Sequence, residues 1–250
     1  MINFEVNGNV GTITMSRAPV NALDPSLVNA LGEAVDKAEA AGLSALLIKS
    51  DQKIFCAGAD LAMIAGYFDK PDAVEIMAAY TGSLHALFDR IEALAMVTVA
   101  VIDGAALGGG LELALSCDMR IVSTRAKIGL PEAGVGLIPG AGGTQRLTRL
   151  AGPGVAARII LTSDVVNGTE AERLGIAQWV AEPGDLAGLV DKVSGRIGGL
   201  SGQSLRASKR CMAAWHDPAR DGFALEKEVT RELMPTQETR DRVFGFFKRK

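Results

Sequence analysis

The chain has 250 residues, 48% of them hydrophobic and 22% charged, with a formal net charge of -3. That length holds one large domain, or a domain with an appendage, and the composition excludes general disorder. The slightly acidic balance gives no electrostatic reason to expect nucleic acid or an anionic membrane as the main partner, and leaves Lys248-Arg249-Lys250 as a local basic cluster.

From the start of the chain, Met1 to Val10 carries Glu5 and no basic segment ahead of an apolar run, unlike a secretory signal. Val10 to Met15 and Ala45 to Lys49 read as short strands. Between them, Leu27, Ala30, Leu31, Ala34, Val35 and Ala38 recur at helical spacing, with Asp24-Pro25-Ser26 as the start signal and Gly42 as the stop. Phe55-Cys56-Ala57-Gly58-Ala59-Asp60 is a turn of small residues opening a short helix over Leu61 to Ala65, and Pro71 to Leu94 reads as a long helix with Asp72 near its start.

Met96 to Ile102, apolar and rich in Val, reads as a buried strand that enters a turn at Asp103-Gly104. Gly108-Gly109-Gly110 then leads into Leu111-Glu112, where a helix starts. Three glycines between strand and helix let a ligand approach peptide N–H groups with no Cβ in the way, and the helix N-terminus adds partial positive charge. That is the specification of an oxyanion hole, although tight-turn chemistry alone also produces glycine runs. Glu112 lies among Leu and Ala, so its carboxylate is expected to be paired, capping or kept for chemistry.

Met119 to Ser123 reads as a strand, Gly142 to Leu150 and Gly154 to Leu161 as two helices separated by Ala151-Gly152-Pro153, and Thr169 to Leu174 as a short helix before Gly175. Strand character returns near Trp179-Val180. Beyond Pro183-Gly184 the pattern is helical: Leu186 to Ile197, Leu200 to Trp215, Phe223 to Met234 and Glu238 to Phe247. The expectation is a mixed α/β core over residues 1–198 and a C-terminal helical, oligomerising region over residues 199–250.

Several reaction classes are absent as motifs. The two histidines, His85 and His216, form no His-Glu-x-x-His pair and are expected on helix surfaces, so no metal is expected. No Gly-x-Ser-x-Gly elbow, Walker loop or Gly-x-Gly-x-x-Gly fingerprint is present. Cys56, Cys117 and Cys211 are widely spaced with no Cys-x-x-Cys pair, which fits a reducing compartment. With no apolar window approaching about eighteen residues, a soluble cytoplasmic protein is expected. What remains is a site of backbone donors and carboxylates.

Those segments, in order, resemble the enoyl-CoA hydratase/isomerase, or crotonase, superfamily over nearly the whole chain. Arg17-Ala18-Pro19-Val20-Asn21-Ala22-Leu23 is similar to the family's N-terminal segment, with the proline displaced. Phe55 to Leu61 resembles its first oxyanion loop, Asp103 to Glu112 with Cys117-Asp118 its second, and Pro131-Glu132 through Leu147 its catalytic and glycine-rich segment. The resemblance implies a spiral of ββα units with a C-terminal helical region that packs as a homotrimer or dimer of trimers; Phe244, Phe246 and Phe247, too apolar for a free tail, suit such packing or equally a closure over the chain's own acyl pocket.

It also implies an acyl-CoA thioester as partner, with coenzyme A part of the substrate and no separate cofactor. The backbone N–H groups of Ala59 and Gly109 become the oxyanion donors, Glu112 the water-activating group and Glu132 the proton donor to C2. Ala57, Asp60, Leu61 and Gly140 become substrate-binding positions, and Met63 to Tyr80 the wall that sets chain length. Lys53 matches a position that approaches the CoA phosphates in some relatives, with an ordinary solvated lysine as the competing reading. Ala62 stands where another lysine often occurs, so CoA binding is expected to rest more on backbone and on a neighbouring subunit's basic tail. The implied reaction is hydration of a 2-enoyl-CoA; the alternatives are 3-enoyl-CoA isomerisation, another acyl-CoA reaction, or a catalytically silent acyl-CoA- or RNA-binding scaffold.

Overall fold

A computed structural model describes residues 1–248, apart from the side chain of His216. Two expectations therefore fall outside the described residues: the surface placement of His216, and the basic cluster Lys248-Arg249-Lys250 beyond its first residue. The chain opens with β1 (Ile2–Asn7) and β2 (Val10–Met15), an antiparallel hairpin closed by Gly8-Asn9, with Gly8 at φ 57°. α1 (Pro25–Ala40) follows; Asp24 caps it by accepting from Leu27 N–H at 2.8 Å, and Pro25 occupies its first turn. Its buried stripe is Leu27, Val28, Leu31, Ala34, Val35 and Ala38. β3 (Ala45–Ser50), α2 (Leu61–Ala65), α3 (Ala73–Ala93) and β4 (Val97–Ile102) lead to the centre of the molecule.

β5 (Ala105–Leu107), α4 (Gly109–Leu115), β6 (Met119–Ser123) and β7 (Lys127–Gly129) come next, and a 3-10 turn over Glu132–Val135 precedes α5 (Gly143–Leu161). The two helices expected around Ala151-Gly152-Pro153 run as one element broken by a kink. Gly152 is non-helical at φ 82°, ψ 162°, and Pro153 restarts the helix where a missing N–H costs nothing. β8 (Val165–Asn167), α6 (Gly168–Arg173), β9 (Trp179–Ala181) and α7 (Leu186–Gly198) complete the α/β part. α8 (Gly202–Ala213), α9 (Gly222–Leu233) and α10 (Gln237–Phe247) follow, so the boundary expected after residue 198 falls between α7 and α8.

The main sheet has the order β1-β2-β3-β4-β6-β9, parallel throughout except for the β1–β2 hairpin. β4 is buried along its whole length, as a parallel strand covered on both faces should be. Alternate residues serve two cores: Leu46, Ile48, Ala100 and Ile102 join the large one beneath α1 and α3, and Ala45, Leu47, Val97, Val99 and Val101 face Leu186, Val190 and Ile197 of α7. Each fully buried Leu or Ile contributes roughly 1.5–3 kcal/mol relative to exposure.

A second sheet of order β5-β7-β8, each strand three residues long, builds the functional region. β5 and β7 are parallel and pair Leu107 with Gly129, so the segments leaving their ends, Gly108 onward and Leu130 onward, emerge side by side. No described helix is long and apolar enough to cross a membrane.

Candidate active site

The first loop is fixed from beneath by Asn21. Fully buried at φ 48°, its side chain accepts from Arg17 N–H (2.8 Å) and donates to Ser50 Oγ (2.7 Å) and the Phe55 carbonyl (2.9 Å). Its own carbonyl accepts from the Cys56 thiol, which burial pushes up to about 12 and so keeps protonated. Backbone bonds from Leu23 to Gly58 and from Asp60 to Leu23 complete the brace. Ala59 N–H is thereby held in the open, with no acceptor elsewhere among the described residues.

The second loop ends in α4. A Cβ built on Gly109 would lie 3.5 Å from Ala59 N, so the two backbone donors are neighbours, and Gly109, first in its helix, has no intrahelical acceptor. The other end of α4 is held by Arg120, 2% exposed, whose guanidinium donates to the carbonyls of Ala114 (3.1 Å), Cys117 (2.9 Å) and Ile176 (2.6 Å). Burial lowers it to about 10, still protonated at neutral pH.

Glu112 is 3% exposed. Its Oε1 accepts from Ala141 N–H (2.8 Å) and Gly143 N–H (2.7 Å). Among the described residues Oε2 has no hydrogen-bond partner, and it is not one of the fully buried unpartnered oxygens, so it borders the cavity that Glu112 lines. Burial raises the Glu112 carboxyl above its ordinary value, while the two N–H groups and the charges of His85 and Arg146 work against that rise.

Glu132 sits in the 3-10 turn with Oε2 buried and unpartnered. Burial first, then the neighbouring charge of Glu112, lifts it to about 7. Gly108 makes room for it: at φ 52°, ψ -127° the backbone is one that L-residues rarely adopt, and a Cβ there would meet Glu132 Oε1 at 2.8 Å. Gly108→Ala is therefore expected to destabilise the fold by roughly 1–3 kcal/mol, read as a lower urea midpoint with an unchanged m-value.

Both glutamates line one cavity of about 580 Å³. Its walls are mostly apolar, with Leu61 and Ile64 of α2 facing Met77, Tyr80 and Leu84 of α3. Of the residues singled out from sequence, Ala57, Ala59, Leu61, Gly109, Glu112, Glu132 and Gly140 share this cavity. A Cβ on Gly140 would only touch Thr81 at an ordinary 3.6 Å, so what a side chain there would take is cavity space. From Met63 to Tyr80 the wall takes Ile64, Met77 and Tyr80, while Met63 packs against the core.

Two positions lie elsewhere. Asp60 turns its carboxylate to cap α2, accepting from Ala62 and Met63 N–H at 3.1 Å, with Arg17 at 3.7 Å. Lys53 is exposed on the preceding loop, outside the cavity. His85, expected on a helix surface, is half-buried on α3, near enough for its charge to act on Glu112. The described residues hold no cluster of three or more potential metal ligands.

Sequence reasoning passed over Arg146, which follows Gly142-Gly143 in the glycine-rich segment. It is 7% exposed in the first turn of α5 and ion-paired to Glu92 (2.8 Å) and Asp89 (2.5 Å) on α3.

A model of the enoyl-CoA hydratase/isomerase family matches residues 5–250. The chain is 43% identical to a crotonyl-CoA hydratase from Syntrophomonas wolfei over 165 residues, 66% of this chain and 61% of that protein. It is 32% identical to a short-chain-enoyl-CoA hydratase from Clostridium acetobutylicum over 254 residues, 99% of this chain and 94% of that protein. Among solved structures, an enoyl-CoA hydratase from Bacillus anthracis matches with a TM-score of 0.92 at 28% identity, covering 100% of this chain and 96% of that one.

Proposed function

The chain belongs to the enoyl-CoA hydratase/isomerase family, and within it we propose that this protein hydrates the C2=C3 double bond of a 2-enoyl-CoA thioester to the 3-hydroxyacyl-CoA. The observation that carries the reading is the placement of Glu112 and Glu132 on one apolar cavity, beside the unpaired N–H groups of Ala59 and Gly109. The thioester oxygen sits between those two donors. Glu112 takes a proton from water as the water oxygen bonds to C3, and the π electrons move to C2 and the thioester oxygen. Glu132 then delivers its proton to C2. Two aimed donors stabilise the enolate oxygen more than the neutral carbonyl, and each is worth about 3 kcal/mol in comparable sites.

A double-bond shift needs only one carboxyl to move one proton. What favours hydration is the second acid, Glu112, with one oxygen anchored by two N–H groups and the other facing the cavity. The apolar wall suits short or medium acyl chains. We also read the exposed Trp215, which lies between α8 and α9, and the exposed Phe223, Phe244, Phe246 and Phe247 of α9 and α10 as faces buried in a trimer or dimer of trimers, which the native mass of the purified protein tests.

The deciding experiment is a spectrophotometric panel of straight-chain, branched and aromatic 2-enoyl-CoA thioesters with a 3-enoyl-CoA as contrast. Loss of the 2-enoyl absorbance with formation of the 3-hydroxy product is expected. Turnover of the 3-enoyl-CoA alone gives the isomerase reading, and binding of crotonyl-CoA without consumption gives a silent scaffold; both overturn the proposal.

A further inference from the structure

The Arg146 guanidinium uses all three of its nitrogens: Nε donates to Glu92, Nη2 to Asp89, and Nη1 to the carbonyl of Ala141 at 3.0 Å. Ala141 is also one of the two residues whose N–H holds Glu112 Oε1; Gly143 is the other. Between them, Gly142 adopts φ 103°, and a Cβ there would meet Arg146 Nη1 at 2.2 Å. The residue that holds the guanidinium through its carbonyl therefore holds the glutamate through its N–H, and only glycine at 142 lets the guanidinium approach. We propose that Arg146 is a positioning residue for Glu112, clamping loop 139–143 to α3 so that the Ala141 and Gly143 N–H groups converge on one carboxylate oxygen.

The chemistry supports a clamp rather than generic packing. A cation buried on three acceptors is costly to place and rigid once placed, and its ion pairs reach across to α3, the helix that also walls the cavity. The charged groups that act on Glu112 are His85 from α3 and Arg146 from α5; the Glu112 charge acts in turn on Glu132 in the 3-10 turn, and Asp89 and Glu92 face Arg146 from outside. Removing the guanidinium frees the loop and takes away a positive charge that favours the ionised Glu112.

The inference rests on Glu112 as the water-activating group, so its test combines an activity readout with one that needs no activity. In Arg146→Met, amide exchange of the segment around residues 139–143 is expected to speed up at least tenfold while the strands of the main sheet keep their protection. With crotonyl-CoA, kcat should fall by roughly 10- to 100-fold with KM changed less than about threefold, as for a misplaced catalytic group. The acid limb of the rate profile should move to higher pH. Arg146→Lys keeps the charge and one ion pair, and should restore the acid limb and part of kcat.

If Arg146→Met does not fold, Asp89→Asn with Glu92→Gln releases the guanidinium from outside and should raise exchange in the same segment. Unchanged exchange at 139–143, or a fall in kcat with the acid limb in place and no rescue by lysine, overturns the clamp. Failure of the unaltered protein to hydrate any 2-enoyl-CoA overturns the proposed function, and the exchange measurement still decides the clamp.

Discussion

Glu112→Gln is expected to lower kcat for hydration by about 10²- to 10⁴-fold, the range that a general base supplies, while KM and stability stay close to those of the unaltered protein. The geometry favours a clean result. Oε1 is the anchored oxygen, accepting from Ala141 and Gly143 N–H, and Oε2 is the one facing the cavity. A glutamine keeps its carbonyl oxygen on the two N–H groups and turns its NH₂ to the cavity, where it can donate but cannot take a proton from water. The oxyanion donors of Ala59 and Gly109 are untouched, so thioester binding persists. Turnover of a 3-enoyl-CoA is the informative contrast, because it needs only Glu132 and should be spared. Stopped assays on both substrates, with a thermal melt as control, give the result; hydration at wild-type rate would remove Glu112 from the mechanism.

The long elements were legible because their signals are periodic. Leu27 to Ala38 repeats at helical spacing, Met96 to Ile102 is continuous and apolar, and Asp24-Pro25 announces a cap that is formed. β1 escaped because Asn3, Glu5 and Asn7 interrupt an edge strand that is half exposed, although Gly8-Asn9 was a usable hairpin signal. The strands β5, β7 and β8 escaped for a stricter reason: three residues cannot display a period. Yet the pairing of Leu107 with Gly129 is what brings Gly108 against Glu132. The site was read from its glycines and acids, and their adjacency is a tertiary fact. Asp60 and Lys53 lie outside the cavity, since motif proximity does not say which way a side chain turns. Asp60 serves the first turn of α2 because three N–H groups there lack partners, and Lys53 lies exposed outside the cavity.

Glu132→Gln should have the second large effect and the more distinctive pH signature. Burial and the charge of Glu112 hold Glu132 at about 7, so near neutrality it is shared between acid and carboxylate. Hydration consumes the protonated form at C2, so the rate should fall as pH rises through about 7, with the acid limb set where Glu112 loses its ionised form. The two limbs belong to the coupled pair rather than to either residue. In Glu132→Gln, kcat should fall by about 10²- to 10⁴-fold and the residual rate should lose its alkaline limb.

Stability follows the same protonation. The folded carboxyl titrates above its unfolded value of 4.5, so between 4.5 and about 7 the native state binds more protons than the unfolded chain. Its contribution is therefore fully present below pH 4.5 and is lost as pH rises through 7. Glutamine has no such loss, and it places an uncharged group where the ionised Oε2 has no partner. Urea unfolding at pH 5 and pH 8 should show the variant gaining on the unaltered protein at the higher pH. Equal differences at the two pH values would mean that Glu132 titrates normally, and its assignment as the acid would fall with that.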